Sequence, residues 1–190
     1  LSEEAEAKGV TLLFEMGLDP GIDHMSASRT IKKIHDEKGE VISFWSVCGS
    51  LPEASSNNNP YGYKLSWAPS SVVDSSKREA KIIKDKKVIV MPDGETYLHP
   101  SLVEIKGLGW FEEYANGDST PYIQAYDMPE VKDVYRGTLR YLGWSETVNA
   151  LLRLGLYESS KIDLSNMTYS DLIRKLTDID TPDAMEAAGA

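Results

Sequence analysis

"VYRGTLRYLGW", Val134 to Trp144, is the run that sets the architecture. It is the clearest strand in the chain, and the helical pattern "SETVNALLRLG" follows it at once. The pair reads as a strand feeding a helix, with Ser145 at the N-cap and Gly155 closing the C-terminus. Strand side chains alternate faces, so Tyr135, Gly137, Leu139 and Tyr141 share one side. Arg136, Thr138 and Arg140 share the other, with successive Cβ positions roughly 7 Å apart. Two guanidinium forks flanking a hydroxyl suit carboxylates, which Arg binds bidentately. An exposed sheet face dotted with arginines would show the same pattern, and the strand alone does not choose between the two.

Working outward, "LGWFEEYANGDSTPY" (108–122) reads as a strand ending in a polar turn, and "KKVIVM" (86–91) as a strand followed by the turn "PDGE". "EVISFWSVCG" (40–49) is a further strand, rich in β-branched and aromatic residues. Residues 50–70 form a long loop crowded with Asn, Ser, Pro and aromatics, and loops of that length usually carry function or motion. "LSEEAEAKG" reads as the last turns of a helix stopped by Gly9, and "VTLLFEMG" (10–17) as a short buried strand. Ile22 to about Lys38 has a helical pattern, with Met25, Ala27, Ile31 and Ile34 on one face. "MTYSDLIRKL" adds a short helix, and "TPDAMEAAGA" is a tail with no assigned structure. Strands and helices mix without a regular βαβα rhythm. An α/β (α+β) domain with a mixed sheet is the expected fold.

The chain has 190 residues and starts at Leu1, which reads as an excerpt of a longer protein. A formal net charge of −10 argues against nucleic acid and anionic membranes as partners. An anionic substrate must then be met by a local basic site. A single cysteine, Cys48, excludes an intrachain disulfide and fits a reducing compartment. No run is long and apolar enough to be a membrane span. No P-loop, paired-cysteine zinc motif, nucleophile elbow or HExxH occurs, and "GLGW" (107–110) lacks a third glycine at dinucleotide-binding spacing. His24, His35 and His99 lie far apart and read as surface or capping residues, with no metal site expected.

Five stretches together resemble one family. "EMGLDPGIDHM", "CGSLP", "SNNNPYGYKLSW", "NGDSTPY" and "YRGTLRYLGW" occur in the order and spacing found in glutamate-forming saccharopine dehydrogenase (saccharopine reductase). The likeness runs from about residue 10 to about 175. It implies an NAD(P)-dependent oxidoreductase of lysine metabolism that interconverts saccharopine and water with glutamate and aminoadipate semialdehyde. This chain resembles the later, substrate-binding and dimerising part, entered at the last Rossmann strand. The implied division is 1–18 as the end of the Rossmann domain, 19–175 as the saccharopine-binding and dimerisation domain, and 176–190 as a tail. The cofactor, NADP or NAD, would be held mainly by the absent Rossmann domain, and this chain alone would be inactive. The family reading also implies a homodimer in the cytoplasm or mitochondrion.

Residue by residue, the resemblance places Asp19 beside substrate and nicotinamide, and Thr138, Leu139 and Arg140 on saccharopine, with Arg140 taking a carboxylate. Leu18 and Ala68 would sit near the cofactor, and the aromatic loop Tyr61–Trp67 would close the pocket. Pro20 and Gly21 reverse the chain, and Asp23 is placed to cap the following helix. No general base is expected, since positioning both reactants carries much of such chemistry. Two departures stand out. The family's "NRDST" arginine, a carboxylate contact, is Gly117 here, and "GGLPAP" is shortened to "GSLPE". A lost charged hydrogen bond costs about 1.5–3 kcal/mol if nothing replaces it. Arg136 and Lys64 are the candidates to compensate. Two other readings stay open: a related dehydrogenase of another amino-dicarboxylate, and a non-catalytic amino-acid-binding or dimerisation module.

Overall fold

The computed structural model describes residues 1–59, 61–158 and 160–177. Its elements are α1 (Ser2–Ala7), α2 (Ile22–Asp36), β1 (Ser43–Cys48), α3 (Pro69–Ser76), β2 (Ala80–Lys84), β3 (Lys87–Met91), β4 (Ser101–Ile105), β5 (Gly109–Ala115), α4 (Tyr122–Ala125), β6 (Asp133–Arg140), α5 (Trp144–Arg153) and α6 (Tyr169–Thr177). The expected tail "TPDAMEAAGA" lies outside the described residues.

β6, expected as the clearest strand, is the hub of a mixed sheet. β1 lies parallel along one edge, from Ser43 opposite Asp133 to Cys48 opposite Thr138. A strand has only two edges, so the remaining partners share the other: β2 meets Val134, and β5 runs antiparallel along Gly137 to Arg140. β3 extends β2 as a hairpin, and β4 extends β5.

The alternation of β6 sorts two worlds. Val134 joins Ile31, Val41, Ile83, Tyr126 and Met128 in a core under α2. Farther along the same face come Arg136, Thr138 and Arg140, and an aromatic cluster of Tyr63, Tyr97, Tyr114 and Trp144 against α5. On the opposite face Tyr135 stacks on Trp45 at 4.0 Å.

Several local expectations need correction. Residues 10–16 form no strand, and Leu13, Phe14 and Met16 are exposed. A strand exists through a ladder partner, and none of the described strands pairs with this run. Met25 faces outward while Ala27, Ile31 and Ile34 face the core. Two residues along a helix turn about 160° away, which puts Met25 opposite Ala27. Ser145 is not the N-cap of α5; Gly143 is, in the left-handed region at φ 91°. The end of that helix is capped from the sheet: the Glu112 carboxylate accepts the Gly143 N–H at 2.6 Å and the Ser145 N–H at 2.8 Å. A carboxylate there also meets the positive end of the helix dipole.

Candidate functional site

The turn before α2 is built around Gly21. A Cβ there would lie 2.1 Å from the Gly17 carbonyl oxygen, so only glycine permits the close approach. The Asp19–Pro20 peptide bond is cis. Asp23, the second residue of α2, does not cap the amides of the first turn as expected; its Oδ1 accepts the Gly21 N–H at 2.7 Å. Its other oxygen faces Arg136.

This turn meets the carboxyl ends of β1 and β6 at a cavity of about 670 Å³. Leu18, Asp19 and His24 form one wall. Thr138, Arg140 and Arg136 of β6 form the floor with Cys48. Tyr63, Ser66 and Trp67 come from the long loop, and Ser75 and Arg78 from the end of α3. The Asn116–Gly117–Asp118 turn closes the ring.

The two arginines of β6 are in different electrostatic states. Arg136 Nη2 reaches Asp19 Oδ1 at 2.9 Å and also donates to Asp23, while Nη1 donates to the Tyr122 hydroxyl at 2.5 Å. The guanidinium lies 4.4 Å from the Tyr122 ring centre. Burial works against its charge, but Tyr122, Asp19 and Asp23 outweigh that and hold its pKa above the usual value. Burial likewise pushes Asp23 up, but the Gly21 and His24 amides and then Arg136 prevail and its pKa falls.

Arg140 is only 5% exposed, and no carboxylate lies within ion-pair distance of it among the described residues. Its Nη1 donates to the Leu139 carbonyl at 2.8 Å, and its buried Nε has no hydrogen-bond partner among the described residues. The guanidinium lies 4.5 Å from the Tyr63 ring centre and 5.1 Å from that of Trp144. Glu112 stands directly across the ladder from Arg140, yet its carboxylate is committed to capping α5. A desolvated cation with aromatic walls and no counter-charge is an anion receptor in waiting.

The expected site residues are only partly brought together. Leu18, Asp19, Thr138 and Arg140 line the cavity, while the Leu139 side chain points to the other face of β6 and Ala68, the N-cap of α3, is not in the lining. The loop splits as well. Tyr63, Ser66 and Trp67 face the large cavity, but Tyr61, Lys64 and Leu65 line a separate cleft of about 450 Å³ with Trp144 and Tyr157. Lys64 therefore does not stand in for the missing arginine, and Arg136 is already neutralised by two carboxylates. Sequence reasoning missed His24, which lines the cavity and shares a 2.6 Å hydrogen bond with Tyr126. Burial first, with nearby carboxylates adding to it, pushes the Tyr126 phenol up to about 12 and the Cys48 thiol upward. His24 lies in the first turn of the helix that begins just after Asp19, and that was its one available signal.

Residues 17–185 match the family model "Saccharopine dehydrogenase C-terminal domain", so the chain belongs to that family. It is 37% identical over 162 residues to the saccharopine dehydrogenase [NADP(+), L-glutamate-forming] of Pyricularia oryzae, covering 82% of this chain and 34% of that protein. It is 33% identical over 193 residues to the mitochondrial alpha-aminoadipic semialdehyde synthase of Rattus norvegicus, covering 98% of this chain and 21% of that one. The fold is similar to that of the apo saccharopine dehydrogenase (L-Glu forming) from Saccharomyces cerevisiae, with TM-score 0.83 and 32% identity over 96% of this chain and 42% of that structure. The chain spans only about a third or less of the length of these two relatives. No helix among the described residues is long and apolar enough to cross a membrane.

Proposed function

We propose that this member of the saccharopine dehydrogenase C-terminal domain family is the substrate-binding and dimerisation part of an oxidoreductase. The reaction interconverts saccharopine, NAD(P)+ and water with glutamate, aminoadipate semialdehyde and reduced cofactor. The observation that carries this reading is Arg140: a buried guanidinium without a carboxylate partner among the described residues, at the floor of a cavity of ligand size. A net-acidic chain holds a multiply carboxylated amino acid only through such concentrated charge.

The nicotinamide supplies hydride transfer. Leu18 and Asp19 suit a rim contact with the cofactor, because they border the cavity beside Arg136; Ala68, the N-cap of α3 directly after Trp67 of the lining, is the third cofactor contact of this reading. Within this chain, Arg140 holds a carboxylate, Thr138 offers a hydroxyl beside it, and Tyr63 and Trp67 exclude water. Arg136 orients Asp19 at the edge of the cavity, where its second oxygen can meet a substrate amine. Residues 1–18 are assigned to the end of the preceding nucleotide-binding domain and 19–175 to the substrate domain; α6 runs on to Thr177, past the expected start of the tail at 176, and residues 178–190 lie outside the described residues. The exposed apolar side chains of residues 10–16 support that division, and exposed Trp45 and Ile89 support a homodimer through the sheet face opposite the cavity. We place the enzyme in the cytoplasm or mitochondrion.

Titrating saccharopine into this chain and into its Arg140→Ala and Arg140→Lys variants tests the reading. Loss of Arg140 should weaken binding by at least about tenfold. Equal binding by all three proteins removes Arg140 from the site. Gly117 favours one second reading, a binding module without redox chemistry, because it leaves that wall without a side chain. A saccharopine-dependent NAD(P)H assay on a chain carrying the nucleotide-binding domain separates the two.

A further inference from the structure

Three arginines reach the large cavity, and each is in a different state. Arg136 is neutralised by Asp19 and Asp23, and Arg140 is buried at the floor with no ion pair within 4.0 Å among the described residues. Arg78, between α3 and β2, is exposed at the rim.

The cations around Arg78 are occupied. Lys77 pairs with Glu158 at 3.5 Å, and Lys81 pairs with Glu79 at 2.8 Å and approaches Asp118 at 4.0 Å. Arg78 itself makes no ion pair within 4.0 Å among the described residues, although the chain carries a formal net charge of −10. Its backbone is held where it is: the Thr96 hydroxyl donates to the Arg78 carbonyl at 3.4 Å. The wall at Gly117 is open, since a Cβ there would meet nothing within 4 Å.

We propose that Arg78 is a second carboxylate receptor of this cavity, so that its ligand bridges Arg140 at the floor and Arg78 at the rim. The inference rests on reading the cavity as an amino-polycarboxylate site, and it names the specificity-determining residue of that site. A ligand with one carboxylate satisfies Arg140 alone. A ligand with two or more, spaced along a chain, gains the rim contact.

The test is calorimetric titration of saccharopine and of butyrate into the chain and its Arg78→Gln, Arg78→Lys and Arg140→Lys variants, at low and high salt. Arg78→Gln should weaken saccharopine about fivefold, as expected for one exposed ion pair, and flatten its salt dependence. Butyrate should be unaffected, and Arg78→Lys should recover most of the loss. Unchanged saccharopine binding in Arg78→Gln overturns the proposal while Arg140→Lys still reports on the cavity. Equal weakening of both ligands overturns it too, because that marks a structural effect. If Arg140→Lys and Arg78→Gln both bind saccharopine like the parent, the cavity reading falls and the Arg78 receptor falls with it.

Discussion

Arg136 and Asp19 stand 117 positions apart in the chain and meet at 2.9 Å at the edge of the cavity. The contact joins the hub strand to the turn that opens α2, so sheet and helix are locked by charge beside the cavity. Asp23, 8% exposed in its side chain, shares the same guanidinium. Removing one partner of a buried ionic cluster leaves the others uncompensated, at a cost of about 3–5 kcal/mol. Arg136→Gln should therefore lower the urea midpoint and the melting temperature substantially. Because the Asp23 pKa is depressed below 3.8, its contribution is complete above that value and is lost as acid protonates it. The gap between parent and variant should begin to narrow below about pH 4, and a gap that does not change as pH falls further would contradict the pairing.

Glu112 gives a second, independent test. Its carboxylate takes two amides at the start of α5, while Arg140 opposite makes no ion pair among the described residues. Glu112→Ala should destabilise the fold by about 1–2 kcal/mol, in the range of losing a helix cap. Chemical denaturation of parent and variant measures this directly, and a change near zero would mean that water or the helix itself satisfies those amides.

The strand with two arginines on one face was readable because side-chain alternation is local. What the sequence did not reveal is which arginine is free. That depends on Asp19 and Asp23, which arrive from the other end of the chain, and on Glu112 being diverted to a helix end. The β2–β3 hairpin was half-seen. Its turn, Asp85–Lys86, adopts positive φ at both residues (51° and 62°), a geometry usually announced by glycine. Without that signal, "AKIIK" was assigned to no element. α3 was missed for a related reason: "PSSVVDSS" has poor helix formers and is held by burying Val72. The run at residues 10–16 shows the converse, an apolar pattern without a partner in the described sheet.

Gly21 links fold and site through a single atom. At φ 151°, an added Cβ would also come within 2.7 Å of the Gly17 nitrogen, so the backbone must move. Gly21→Ala should destabilise the chain by more than about 1 kcal/mol. It should also weaken saccharopine, because the displaced turn carries Asp19. Thermal melts paired with titrations check both effects. A variant that is destabilised but binds normally would take Asp19 out of the site.

Glu130 offers a pH signature far from the cavity. It accepts the Val41 N–H at 2.9 Å and pairs with His35 at 2.7 Å, joining the end of α2 to the approach to β6. The Val41 amide, then His35, bring its pKa from 4.5 down to about 2. A carboxylate depressed in the folded state stabilises it fully above the unfolded value and loses that contribution as pH falls through the folded one. Parent and Glu130→Gln should therefore differ in denaturation midpoint at pH 5, and the difference should shrink from pH 4.5 and vanish near pH 2. The Glu130 side chain retains solvent access, so the gap at pH 5 should be modest. A difference that stays constant from pH 5 to pH 2 would show that Glu130 acts through shape and not through its charge.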